Sequence, residues 1–407
     1  GTALAAVVLP ASSQERPVEE FEDPRRVVLV TMGPGEEVWN RFGHNGLWIQ
    51  DARTGEDWVW NWGIFDFDQV GFVPRLAQGT MLYSMRGYSI DATLAQYRAE
   101  GRDVWAQELN LTPAQKSDLD RYVRTNAQPA NRDYIYNYYL DNCSTRVRDA
   151  LDHVLGGAIR THFSGLASGR TWRWHTRRLV EPSPWVYGGI ALVLGPRGDE
   201  SISQYDEMFL PMELRDRMAG FFIEGRDGTM RPLVAAETRL VEGVQPPPPE
   251  APGPGWPGYL LMGLGVAAVV LLAGAGTAGA GAARRMIAAI PIVAWSLLAG
   301  VAGLVLTGAY LTDHVFWFRN ENLLQATPLS LLLAVAVMGA AWRPSWRARA
   351  AGLATLIAAL SVLGLLLDPL PFLVQRNPEI LALAVPVHCA IAWILRRDRD
   401  AARATTG

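Results

Sequence analysis

YIYNYYLDNCSTRVRD, residues Tyr134–Asp149, decides how the rest of the chain is read. Asp141-Asn142 is a helix N-cap pair, and Ser144–Leu155 has the spacing of an amphipathic helix. Cys143, one of two cysteines in the chain, therefore falls at a helix N-terminus. Backbone N–H groups and the helix dipole favour a thiolate there. The alternative is a buried structural cysteine. A nucleophilic thiol needs a base, and the candidate lies upstream: His44, in RFGHNGLWIQD.

The chain divides by charge and hydropathy. Residues 1–255 carry 26 Lys+Arg against 34 Asp+Glu, a formal −8, in a stretch long enough to bury a core. Residues 256–407 carry 11 against 6, a formal +5, between long apolar runs. One lysine beside 36 arginines reads as a compositional bias. No basic cluster in the first part supports a nucleic-acid partner. Cys143 and Cys389 fall in the soluble and the apolar part, so they form neither a disulfide framework nor a Cys-rich zinc site. No glycine-rich phosphate loop is present, and neither a metal nor a cofactor is expected.

Residues 1–24 read as the tail of a signal peptide or anchor (TALAAVVL) followed by a loose segment. A domain over 25–244 follows. Arg26–Met32 is a buried-strand pattern. Leu47–Gln50 and Trp58–Asn61 form a hairpin about Gly55. Gly79–Gly87 and Arg102–Leu109 are extended. Thr112, Pro113 and Gln115 open a helix running to Asn126. Residues 157–240 are mixed, with short helices at Tyr205–Met208 and Leu214–Glu224. A Pro/Gly-rich linker covers 245–258.

Five apolar runs follow within 259–397: Tyr259–Ala283, Met286–Leu311, Leu323–Trp342, Ala350–Leu367 and Ile380–Leu395. The last is the shortest and contains His388. Arg284, Arg285, Arg343, Arg347, Arg349, Arg396, Arg397, Arg399 and Arg403 lie on one side of the runs, and Arg319 and Arg376 on the other. The positive-inside rule then makes the tail 398–407 cytoplasmic and the first domain extracytoplasmic. The fold class expected is α+β, followed by an all-α transmembrane bundle of about five helices.

Four histidines precede the linker. His153 is ten residues along the helix of Cys143, about 15 Å away. His162 and His175 sit in loop-like sequence. His44 starts a strand, and Asn61 ends the next strand of the same hairpin, within reach of its far ring nitrogen. The expected site is Cys143, His44 and Asn61. Candidate substrate contacts are Arg146, one turn beyond Cys143 and able also to pair with Asp149; Asn45 and Asn142; and His314 and Arg319 between the second and third runs. Asp66 and Asp68 read as loop ligands to backbone.

The order His, Asn, Cys resembles the permuted papain-like group, which includes lecithin–retinol-acyltransferase-like enzymes. WNRFGHNGLWIQD, NWGIFDFDQVGF with GTMLYSM, and YIYNYYLDNCSTRVRD resemble more closely the bacterial lipoprotein N-acyltransferase family, N-terminal periplasmic domain, over roughly residues 25–240. TDHVFWFRNENLLQATPLSLLL (312–333) is similar to that family's outer loop and following span. The resemblance implies that Cys143 and His44 are the family's thiol and base. It implies acyl transfer from a phospholipid, through a thioester, to the amine of a diacylated lipoprotein at the bacterial inner membrane. The residues alone also admit a cysteine amidase or endopeptidase acting on cell-wall peptide, or a non-catalytic membrane assembly factor.

Overall fold

The computed structural model describes residues 23–404 except 67, 181, 226–227, 278–279 and 372. The apolar segment 2–9 lies outside them.

The first domain is built on a seven-stranded antiparallel sheet. Its strands are β1 (Arg25–Met32), β2 (His44–Asp51), β3 (Glu56–Phe65), β4 (Leu82–Tyr88), β5 (Val104–Leu109), β6 (Asp133–Ile135) and β7 (Val234–Val241). Their order is β7-β5-β1-β2-β3-β4-β6. Four helices position the site: α1 (Phe72–Gln78), α2 (Ile90–Ala99), α3 (Pro113–Asn126) and α4 (Cys143–Val154).

β1 is buried at every position from Val27 to Met32 because both sheet faces are covered. Val27 and Leu29 pack with Leu119 and Val123 of α3 and with Val147, Ala150, Leu151 and Val154 of α4. Val28, Val30 and Met32 pack with Tyr97 of α2. The α4 positions recur at three and four residues, the stripe of a helix lying on a sheet. α3 begins as its residues dictate, with Thr112 and Gln115 forming a reciprocal capping box and Pro113 in the first turn.

One element departs from the sequence reading, and two, α1 and β7, have no counterpart in it. Leu214–Glu224 is not one helix: a helix spans Pro211–Ala219, and Phe222–Glu224 is a strand paired with Met230–Pro232. β7, VAAETRLV, joins the sheet edge beside β5 with most of its residues in water, so no buried alternation marked it. His162 and His175 are also helical, on Ala158–Phe163 and Trp172–Val180.

Five helices among the described residues are long and apolar enough to cross a membrane: Trp256–Gly274, Ala282–Leu311, Glu321–Trp342, Pro344–Leu367 and Pro378–Ala402. The first starts at Trp256, so the Pro/Gly-rich stretch ends slightly earlier than its composition indicated. The connections holding Arg319 and Arg376 pack against the first domain. Gly195 N donates to Phe316 O at 2.7 Å, and Arg376 N donates to Asp199 Oδ2 at 3.0 Å. Asn320 and Asn322 donate to the carbonyls of residues 191–193. Phe316 is fully buried among Tyr139, Trp172 and Phe209, a cluster that also supports the turn leading into Cys143. Phe316→Ala is therefore expected to cost about 3–5 kcal/mol. Thermal unfolding of the full chain in detergent measures this.

Candidate active site

His44 begins β2 and Asn61 lies in β3, where the ladder pairs Gly46 with Asn61. The two side chains share a sheet face and meet diagonally. His44 Nε2 lies 3.0 Å from Asn61 Oδ1. Asn61 Nδ2 donates to Val59 O at 2.8 Å, which fixes the amide so that its oxygen faces the ring. An amide oxygen only accepts, so His44 carries its proton on Nε2 and keeps the Nδ1 lone pair free. Gly46 makes this arrangement fit: a Cβ there would come within 2.9 Å of Asn61 Oδ1 and 3.0 Å of Val59 Cγ1.

Asn142 caps α4. Its Oδ1 accepts from Thr145 N at 2.9 Å, and Thr145 Oγ1 accepts from Asn142 N at 2.8 Å. Its Nδ2 donates to Tyr138 O and Phe209 O. The cap fixes where α4 starts and so where the sulfur sits. Asn142→Ala is expected to lower stability by about 1–2 kcal/mol, because it removes the cap and strands two buried carbonyls. A thermal melt beside wild type measures this.

The β3 ladder shifts register between Asn61 and Ile64. Gly63 sits in this irregularity at φ +85°, and a Cβ there would approach the Cys143 Cβ to 3.3 Å. The bulge therefore opens the gap through which α4 brings the thiol beside the histidine strand.

Cys143, His44 and Asn61 line one cavity of about 530 Å³, within the usual range of small-molecule pockets, about 300–1,000 Å³. Trp39, Ile64, Phe65, Tyr83, Tyr97 and Tyr136 supply apolar wall. Tyr83 and Tyr136 stack with ring centroids 4.0 Å apart. Cys143 is 9% exposed.

Electrostatics corrects one expectation. Burial pushes the Cys143 thiol up, although the backbone amides of Asn45, Ser144 and Cys143 and the charge of Arg102 pull it down. Burial likewise pushes His44 down to about 4, against the bond to Asn61. The cavity thus holds a neutral thiol and a neutral imidazole, not the ready thiolate that a helix N-terminus alone suggests.

Arg102 was not legible as a site residue. It lines the same cavity and is 3% exposed. Nε donates to Gly33 O at 2.8 Å and Nη1 to Glu100 Oε2 at 2.9 Å, while the guanidinium lies over Tyr97. Nη2 has no hydrogen-bond partner among the described residues.

The side chains of the other candidates lie apart from this cavity. Arg146 clamps Asp141 through Nε at 2.5 Å and Nη2 at 2.7 Å and stacks over Tyr134, rather than pairing with Asp149. The Asn45 side chain is buried and donates to Thr31 Oγ1 at 2.8 Å; only its backbone amide addresses the sulfur. Asn142 is a cap. His314 stacks on Trp317 and reaches the Leu76 carbonyl, and Arg319 is exposed at φ 54°. Asp66 Oδ1 accepts from Asp68 N, as a loop ligand does.

His175, Glu207 and Glu213 place three ligand-type atoms within 4.8 Å of one another. Arg217 and Arg170 pair with Glu207, and Arg170 and Arg178 with Glu213. His175 Nε2 lies 2.9 Å from Glu207. This is a compensated charge cluster whose carboxylates are already engaged by cations.

Residues 14–182 match the Lnb N-terminal periplasmic domain family. The match spans the strands that carry His44 and Asn61 and the helix that carries Cys143. No curated protein and no solved structure matches the chain.

Proposed function

We propose that the chain is a membrane-bound thiol acyltransferase that moves an acyl chain from a phospholipid to the N-terminal amine of a diacylated lipoprotein. The observation that carries this reading is the shared cavity: a thiol, an imidazole with a free Nδ1 and an orienting amide on aromatic walls, in a domain fixed to five apolar helices. The Lnb match supports the same reading, as does the order His, Asn, Cys, which agrees with a permuted papain-like site.

In the proposed reaction, His44 Nδ1 takes the Cys143 proton as the sulfur attacks the donor ester carbonyl. The backbone N–H groups of Cys143 and Asn45 stabilise the oxyanion. The proton passes from His44 to the departing lyso-phospholipid hydroxyl, leaving a thioester on Cys143. The lipoprotein amine then attacks that thioester. It gives its proton to His44, which returns it to the sulfur as the amide forms. Arg102 Nη2 offers a donor for the phosphate of the phospholipid.

An odd number of spans puts the first domain and the C-terminus on opposite sides of the membrane. The arginine asymmetry supports an outward first domain and a cytoplasmic C-terminus, and the periplasmic family match supports a bacterial inner membrane.

The base must be neutral to accept a proton, and His44 is neutral above its pKa. Activity should therefore persist down to about pH 4 and fall below it, where an ordinary histidine would lose it near 6.5. A pH profile of acyl-enzyme formation checks this; an acid limb near 6.5 contradicts it. The sign for stability agrees: the unfolded chain takes up this proton as pH falls through 6.5 while the native chain does not, so native stability declines between 6.5 and about 4.

The function is tested in cells that depend on the chain for lipoprotein maturation. Mass spectrometry of N-terminal lipopeptides should find the third acyl chain with wild type and lose it with Cys143→Ala. Retained N-acylation, or turnover of peptidoglycan fragments without lipid, would overturn the reading.

A further inference from the structure

α1 is seven residues long, FVPRLAQ, and its only charged side chain, Arg75, turns back on the Val70 and Thr80 carbonyls. Val70, Val73 and Leu76 recur every third residue and are 91%, 69% and 51% exposed. Val73 and Leu76 share a face of α1, and Val70 lies in the turn just before its N-cap Gly71. An apolar ridge left in water costs free energy unless something covers it.

The position of α1 indicates what covers it. The second apolar helix ends at Leu311. Just beyond it, Asp313 N donates to Gln78 O at 2.8 Å, and His314 Nε2 bonds Leu76 O at 3.0 Å. The His314 ring lies against Gly79, where a Cβ would come within 3.1 Å of it. α1 is thus tied within a few residues of the end of a membrane span. Leu311, at that end, is itself 89% exposed. On the inner side of α1, Phe72 packs edge-on against Phe65 with centroids 5.9 Å apart, and Phe65 lines the cavity of Cys143.

We propose that α1 lies in the bilayer interface with Val70, Val73 and Leu76 among the acyl chains, and that it forms the entrance by which a phospholipid reaches the Cys143 cavity. The occupant of the ridge is a lipid surface. The apolar side chains provide the anchoring, as for other interfacial helices, and His314 acts as a strut that holds α1 at the correct depth. The entrance role rests on the acyltransferase reading; the depth of α1 does not.

Two measurements on the full chain in phospholipid nanodiscs separate them. A nitroxide is attached at Val73→Cys in a Cys143→Ser, Cys389→Ser background, and its relaxation is compared with oxygen and with a water-soluble nickel chelate. Greater accessibility to oxygen is expected. Greater accessibility to the nickel chelate, or protection from both as at a protein interface, overturns the placement. With Cys143 intact, Val70→Asp, Val73→Asp, Leu76→Asp together should slow acylation from the nanodisc phospholipid by at least about tenfold and leave acylation by a short-chain water-soluble p-nitrophenyl ester within about twofold. Equal losses with both donors, or no loss with either, overturn the entrance role. If wild type accepts neither donor, the acyltransferase reading fails while the nitroxide result still decides where α1 lies.

Discussion

Cys143→Ala is expected to abolish acyl-enzyme formation and to lower N-acylation by about 10⁴-fold or more. Every covalent step of the proposed reaction uses the sulfur. The replacement is small, and the groups that place residue 143 do not depend on the thiol. Asn142 and Thr145 cap the helix through their own side chains and backbone, and Ser144 Oγ donates to Met208 O at 2.7 Å. The variant should therefore melt within about 1 kcal/mol of wild type, so loss of activity is not loss of fold. Lipopeptide mass spectrometry and a thermal melt on the same preparation check both halves. A folded variant with ordinary N-acylation would remove the nucleophile.

His44→Ala carries the second largest expected effect, a loss of about 10²–10⁴-fold in the acylation step. The neutral pair makes the base matter. Because burial holds the thiol above its ordinary value, few sulfurs are ionised at neutral pH, and attack requires transfer to Nδ1. Without the imidazole the rate should rise with pH as direct ionisation of the thiol takes over. Wild type should instead be flat across the neutral range. Asn61→Ala should fall between the two, since it frees the ring and its tautomer but leaves a base in place. Single-turnover acylation against pH distinguishes these cases. A His44→Ala profile matching wild type would show that some other group moves the proton.

How much of this was legible follows from the range of each determinant. The α4 start is written within a few residues, since Asn142 and Thr145 bond each other across one turn. The His44 hairpin is also local, closing through Asp51–Glu56. Their encounter was readable because only His44 among the early histidines belonged to a strand.

Contacts that depend on distant chain were not readable. Arg146 looked like an anion ligand beside the thiol, yet Asp141 and Tyr134 occupy it. Arg102 follows an unremarkable helix end and enters the cavity because β5 lies beside β1 and brings Gly33 within reach. β7 pairs with a strand more than a hundred residues earlier and shows little burial pattern. α1 is too short for a periodicity to stand out, and its apolar side faces outward rather than toward a core. The sequence offers His314 as a substrate contact; its observed partners are Leu76, Gly79 and Trp317.

The proposed intermediate is a thioester on the Cys143 sulfur. Purified full-length protein is incubated with phospholipid vesicles in the absence of a lipoprotein amine, digested, and analysed by mass spectrometry. One acyl chain is expected on the peptide containing Cys143, released by neutral hydroxylamine and absent from His44→Ala at the same early time. Turnover of phospholipid with Cys143 unmodified, or acylation that hydroxylamine does not reverse, would contradict it.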